Sequence, residues 1–465
     1  MRGKASFKKC IAPVLLCFLL IMLAYGTAIC SEEKVLALDE MIEMALATSP
    51  ELKMAEQDIR VAKGEVRQAT GGQLPQVELV GISGPVSDAK VPTVQVVGKT
   101  GYLVSHDEDS VNIFGRLDFA LTQPLYTFGK ISNRKDAARL GLEAQKAGKE
   151  QRKNQVILNT KELYYAYLIA SQGKGAAKDA DAYISDATRR IKRLIELHAK
   201  NADPSDLYRL EAYAAQVKAF AAKAESGYRT AYYALKQAIG IPQNEEFITK
   251  ETELPKNPAN LQPEGEYVQR ALQNRPEITQ VKKGADAKGK LADAAKSDLY
   301  PSFFAAAVGS VSGAPGRQTL MGGENTYLTD QFNHAYGGFY AGAHWHVDFG
   351  IGLGNLDKAR AEYEKMRDTQ EFAERNIPIE VVKYYQDAVE AQKSWAAYEE
   401  AVVGARRWIL AAFDNFDLGI GTAKDMLDAI DRYGKNEGDY LQSLYGYHVA
   451  LARLDYAVGL GTYGP

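Results

Sequence analysis

From Val381 to Phe416 the apolar positions recur three and four residues apart without exception: Val381, Tyr384, Ala388, Ala391, Trp395, Tyr398, Val402, Ala405, Ile409, Ala412, Phe416. Leu207 to Ala238 repeats the spacing, and Ala423 to Val458 repeats it with one break, at Glu437. This is the seam of a coiled coil, and it predicts long paired helices. Alanine at many seam positions predicts close helix approach. The segment 130–199, if wholly helical, would reach about 105 Å at about 1.5 Å per residue. Pro378 is expected to kink or interrupt the helix predicted from about 353 to 418, because proline removes a backbone donor and crowds the preceding turn.

Elsewhere the period changes to two. From Ile113 to Leu121 the odd positions read Ile, Gly, Leu, Phe, Leu, and the even ones include Arg116 and Asp118, with Thr122 next. From Phe339 to Phe349 apolar residues alternate with Tyr340, Gly342, His344, His346 and Asp348. Such alternation predicts strands with one apolar and one polar face. A soluble sandwich would show it as well. Aromatic residues at the strand ends (Tyr126, Phe128, Trp345, Phe349) favour a lipid-facing barrel wall with an interfacial girdle. Each predicted strand run ends at Phe-Gly, Phe128-Gly129 and Phe349-Gly350.

The chain also repeats itself. Residues 50–75 (PELKMAEQDIRVAKGEVRQATGGQLP) and 276–301 (PEITQVKKGADAKGKLADAAKSDLYP) open with Pro-Glu and close on Pro, and Glu40, Ala45 and Leu46 match Glu266, Ala271 and Leu272 at the same offset. Each half reads helix, strand, strand, long helix, turn, returning helix, which is an internal duplication. The first repeat is placed at 39–245, a linker at 246–263 and the second repeat at 264–460. Turns fall at 201–206 and 418–425, and strand–strand loops at about 88–110 and 314–334. Four strands cannot close a barrel. An open edge in lipid leaves backbone groups unpaired at several kcal/mol each, and single-chain barrels need about eight strands or more. Several copies must then share one barrel; two give eight strands and three give twelve.

The first residues carry a targeting pattern. Arg2, Lys4, Lys8 and Lys9 precede an apolar run from Ile11 to Leu23 and the small residues Ala24, Gly26 and Ala28. A signal peptide over 1–28, cut after Ala28 or after Cys30, is expected; Ile29 before Cys30 argues against lipidation. All three cysteines (Cys10, Cys17, Cys30) lie in or beside this segment, so no disulfide framework is expected in the mature chain. The net charge of −3 gives no basic footprint for nucleic acid. Neither a nucleophile–base arrangement, nor a phosphate loop, nor a metal cluster is legible, so no enzyme and no cofactor are expected. Tyrosine is abundant, 27 residues against 15 Phe and 3 Trp. It suits surfaces that are half apolar and half wet, and also ordinary helix packing.

Taken together in order, the doubled A-L-x3-P-E motifs, LPQVELVG and YPSFFAAAVG at the strand starts, QPLYTFGK after the second strand and LGIGTAKDMLDA at the last turn resemble the TolC-type outer-membrane efflux proteins over nearly the whole mature length. The resemblance implies a mainly α fold with a β-barrel portion: a homotrimer with a twelve-stranded barrel in outer-membrane lipid and a long periplasmic α-barrel. It implies a passive duct, opened by a periplasmic adaptor (membrane fusion) protein and driven by an inner-membrane pump of RND or ABC type. It places acidic constriction residues at Asp425 and Asp428, which share a helix face at i and i+3. It places tip contacts at Ser205 and Asp206. Phe416 and Gly421 stand where well-studied members carry the Tyr and Arg of the closed-state links, and Lys200 replaces a typical turn glycine. With Gly419, these residues make up the expected tip.

Some features admit a plainer role. Asp425 and Asp428 also suit a helix start, where the macrodipole favours carboxylates. His344 and His346 have metal-ligand spacing but no third ligand, and barrel lumen is the expected setting for them and for Arg116 and Asp118. Arg189, Arg190, Lys192 and Arg193 read as a solvated helix face, with an adaptor contact as the minor alternative. Asp107, Glu108 and Asp109 are expected at the external mouth. The competing function is a periplasmic coiled-coil scaffold or adhesin without a pore. Within the channel reading, small-molecule efflux and protein secretion use the same fold.

Overall fold

The computed structural model describes residues 34–87, 93–97, 101–105, 111–198, 203–315 and 331–459. The expected signal peptide, Cys30, Asp107 to Asp109 and Lys200 lie outside them. The duplication is visible in the element lengths. Helices α1 (Leu38–Thr48) and α5 (Glu264–Asn274) each have 11 residues. Helices α2 (Pro50–Gly71) and α6 (Pro276–Ser297) each have 22. Helices α3 (Lys130–Glu196) and α7 (Ile351–Asp417) each have 67, and α4 (Pro204–Ala238) and α8 (Ala423–Ala457) each have 35. The strands are β1 (Lys34–Leu36), β2 (Gln76–Ser87), β3 (Thr93–Val97), β4 (Gly101–Ser105), β5 (Val111–Tyr126), β6 (Phe247–Thr249), β7 (Ser302–Gly313) and β8 (His334–His344).

Two compact units draw on both halves of the sequence. One comprises residues 51–152 and 268–380. Its centre is an antiparallel sheet in the order β2-β5-β7-β8. The ladder shifts between Pro124 and Tyr126, where proline supplies no N–H. Glycines let the helices of this unit approach closely: a Cβ at Gly284 would lie 3.2 Å from Met366, and one at Gly289 3.2 Å from Tyr363. Ion pairs such as Lys149–Glu56 at 2.8 Å and Lys283–Glu143 at 2.7 Å line the same helices. At the helix ends of the strands Phe128 packs on Tyr126 and Tyr300 with centroids 4.8 and 5.1 Å apart, where the aromatic girdle was expected.

The other unit comprises residues 1–50, 153–267 and 381–465. It holds the parallel pair β1–β6 and the coiled-coil parts of α3, α4, α7 and α8. The seam read from the sequence is its core. Val381, Ala388, Ile409, Ala412 and Phe416 of α7 are buried, as are Ala423, Met426, Leu427 and Ile430 of α8. Tyrosines serve this packing: Tyr167, Tyr228 and Tyr232 cluster with Phe247, and the Tyr232 and Phe247 rings stack 4.8 Å apart. Glu437, the one break in the α8 seam, is half-buried, and burial holds its carboxyl above the usual carboxylate range.

Two expectations are corrected and two elements were not anticipated. The interruption expected at Pro378 is absent: helix α7 continues through it, with Ile377 and Val381 on either side buried. Strand β8 ends at His344 rather than at Phe349, so His346 stands beyond the sheet, its imidazole 4.0 Å from Asp348. The loop between the first two sheet strands contains the hairpin β3–β4. The short pair β1–β6 was also missed, since three residues carry too little periodicity to read.

Candidate functional site: the sheet faces and the helical tips

Register assigns every sheet residue to a face. Phe119 lies opposite Leu79 and Gly309; Leu117 lies opposite Gly81 and Val311; Phe303 lies opposite Ala343, and Phe339 opposite Ala307. All share one face, and its large side chains are exposed, Leu79 at 64% and Phe339 at 91%. Directly opposed residues of the other face are Arg116 and Ser312, Asp118 and Ser310, Ser310 and Tyr336, Ser312 and His334, and Ser302 and His344. Arg116 pairs with Asp118 at 2.9 Å, the Ser310 hydroxyl donates to Asp118 at 2.7 Å, and Ser310 lies 2.8 Å from His334 Nε2. The predicted residues Arg116, Asp118 and His344 therefore share the polar face, and His346 is not in it.

The tip of the second hairpin is built by local rules. After α7, Gly419 takes φ +77° and donates to the Phe416 carbonyl at 3.1 Å, while the Ile420 N–H reaches Asn415 at 3.0 Å. That is a Schellman termination, which satisfies the last helical carbonyls. Gly421 follows because a Cβ there would meet Asn415 and the Phe416 backbone at 3.0 Å. Thr422 then caps α8. Its hydroxyl accepts from the Asp425 N–H at 3.2 Å, and the Asp425 carboxylate accepts from the Thr422 N–H at 3.1 Å and hydroxyl at 2.7 Å. These bonds hold the Asp425 carboxyl below the usual carboxylate range. Asp428, one turn on, is exposed and lines a cleft of about 330 Å³ with Arg209, Tyr213, Gln216 and Lys424. Phe416 is fully buried among Ile191, Leu210, Met426 and Leu427.

At the first tip Asp203 caps α4, accepting from the Ser205 N–H at 2.7 Å, and Asp206 accepts from the Asp203 N–H at 3.1 Å. Asp206 also pairs with Arg209 at 3.6 Å. Ser205 and Asp206 therefore serve their own helix start within one chain.

Residues 267–460 match the family model described as outer membrane efflux protein. The match takes in the second repeat, less than half of the chain. Over 91% of its length the chain has the fold of solved outer-membrane channels. The outer-membrane channel OprN is 15% identical, with 91% of this chain and 90% of that one covered and a TM-score of 0.75. The outer membrane protein VceC from Vibrio cholerae is 19% identical, with 91% and 96% covered and a TM-score of 0.72. The open-state MtrE outer membrane channel of Neisseria gonorrhoeae is 17% identical, with 91% and 89% covered and a TM-score of 0.70. No curated protein matches the sequence.

One residue near the tips has a role that the sequence did not show. Arg189, Lys192 and Arg193 are exposed as expected, whereas Arg190, partly exposed, is engaged in ion pairs. It pairs with Asp186 at 2.8 Å and with Asp417 on α7, and its guanidinium lies 5.2 Å from the Phe413 ring centroid. It ties α3 to α7 just above the tips. The i, i+4 spacing to Asp186 was visible in the sequence; nothing there linked residue 190 to 417. Among the described residues no cluster of metal-ligating side chains is present and no helix is long and apolar enough to cross a membrane.

Proposed function

We propose that the chain is one of three subunits of an outer-membrane exit duct, a passive conduit of a tripartite efflux or type I secretion system. A periplasmic adaptor opens it and an inner-membrane pump of RND or ABC type drives it. The observation that carries the reading is the sheet: one face is apolar and exposed, the other carries the charged and polar side chains Arg116, Asp118, Ser310, His334 and His344 with a few apolar ones such as Ile82, and β2 and β8 end the order of the described strands with open edges. In lipid such edges must be paired, and further copies of the same sheet would pair them. A second support is helix α4. Its seam matches that of α8 in spacing, and beside that half-buried seam Tyr208, Phe220 and Tyr233 are exposed, which leaves apolar surface for a neighbouring subunit. The pore-less scaffold offers no reason for a membrane-facing sheet.

At the tips, Asp425 and Asp428 are proposed as the acidic constriction. The Arg190–Asp417 pair would supply the closed-state link where Phe416 and Gly421 offer no hydrogen-bonding side chain. The test is mass measurement on protein extracted in detergent. Three chains per particle are expected; a soluble monomer would refute the proposal.

A further inference from the structure

The inner sheet face is unevenly covered, and the cover comes from the chain itself. At the end of the sheet remote from the helices, Ser310, Ser312 and Ala314 are buried, whereas Tyr336, opposite Ser310 on the same face, is 61% exposed. Ser310 is enclosed by Asp118 and His334, and three further contacts lie at Ser312, Ala314 and Phe114. The Ser312 hydroxyl donates to the Phe332 carbonyl at 3.0 Å. The Ala314 N–H donates to the Asn333 side chain at 2.8 Å. The Phe332 ring meets the Phe114 ring edge-on, with centroids 4.9 Å apart. Phe114 belongs to β5, whereas Phe332 lies two residues before β8, and β7 lies between those strands. The Phe332 ring therefore crosses over β7 on the inner face. The strand end of the segment, His334, is fastened by the His334–Ser310–Asp118–Arg116 chain of hydrogen bonds.

We infer that Phe332–His334 is an inward strap that narrows the outer mouth of the pore and helps decide which solutes enter from outside. The inference rests on the channel reading, which makes the polar face the pore lining. In a closed ring each subunit would contribute one strap at the same level. The strap costs little to hold: the Phe332 carbonyl accepts from Ser312, the Asn333 side chain accepts from the Ala314 N–H, and the Phe332 ring replaces water against Phe114.

The test uses the full protein in liposomes with Cys30→Ser as background, since Cys10, Cys17 and Cys30 are the only cysteines. Single variants Ala314→Cys, Tyr336→Cys and Phe339→Cys are exposed to a charged, water-soluble thiol reagent; Ala314 is buried and meets Asn333 through its backbone N–H, which cysteine retains. Tyr336→Cys is expected to react fast, Ala314→Cys slowly and Phe339→Cys least. Adding Phe332→Ala, or independently Phe114→Ala, should speed Ala314→Cys about tenfold by removing the ring contact. The largest neutral polymer that enters from the loop side should rise in the same two variants. If Ala314→Cys reacts as fast as Tyr336→Cys with the strap intact, or if neither alanine changes its rate or the polymer limit, the strap is refuted and the channel stands. If Phe339→Cys reacts fast and Tyr336→Cys does not, the faces are reversed and both readings fall.

Discussion

The two hairpin tips begin from the same plan and finish it differently. Helices α3 and α7 are equal in length and end in Leu197-His198 and Leu418-Gly419. The second residue of each pair is left-handed, with φ +56° at His198 and +77° at Gly419. Helices α4 and α8 both start with a capping box, Asp203–Asp206 and Thr422–Asp425. The second tip has glycine at the left-handed position, a second glycine at the tight approach and a buried phenylalanine beneath. The first tip places a histidine in a backbone region that costs L-residues roughly 1–2 kcal/mol. The same contrast extends upward: 15 residues of α8 are buried against four of α4, in helices of equal length. Within one chain, then, the second hairpin is internally complete, and the first leaves surface for other partners.

Five substitutions test how far this difference reaches, in descending order of effect. Phe416→Ala should cost about 3–5 kcal/mol, because the ring is fully buried and its neighbours are helical and cannot collapse onto the space. Thermal melting by circular dichroism reads the loss. Gly421→Ala should cost about 1–3 kcal/mol by overpacking against Asn415 and Phe416. The caps should weigh alike: Asp203→Ala and Thr422→Ala are each expected to cost about 1 kcal/mol. Equal losses from unequal tips would show that the tips diverge at their helix ends and not at their helix starts. The caps also predict a pH effect. Hydrogen bonds hold Asp203 and Asp425 below the usual aspartate range. Both therefore favour the folded state above the ordinary aspartate value and lose that contribution as acid protonates them, so the two cap variants should melt closer to wild type at strongly acidic pH than at neutral pH. Smallest is His198→Gly, with a gain below about 1 kcal/mol, since relief of the left-handed strain is partly offset by the extra freedom of glycine in the unfolded chain.

Much of this was legible because it is local. The seam from Val381 to Phe416, the 226-residue offset and the alternation around Arg116 and Phe119 each follow from periodicity, and the structure keeps all three. LGIG followed by Thr and Asp spelled out a helix stop and a helix start. The failures were of two kinds. Pro378 and the run beyond His344 were judged by local rules that neighbouring packing overrides. Arg190–Asp417 and the Phe332 strap join residues 227 and 218 positions apart, and no spacing rule reaches that far. The roles of Asp425 and Asp428 rest on resemblance, since within one chain Asp425 is fully accounted for as the partner of its cap.

Single-channel recording in planar bilayers separates these roles most directly. In a closed ring of three chains, the two aspartates would supply six carboxylates around one axis, and a narrow low-dielectric passage focuses their field. The wild-type channel is then expected to prefer cations and to be blocked by low concentrations of a trivalent cation added on the side of the helical tips. Asp425→Ala with Asp428→Ala should abolish the block and weaken the preference. A double variant that melts earlier, as loss of a cap requires, yet keeps full block and selectivity would contradict the account.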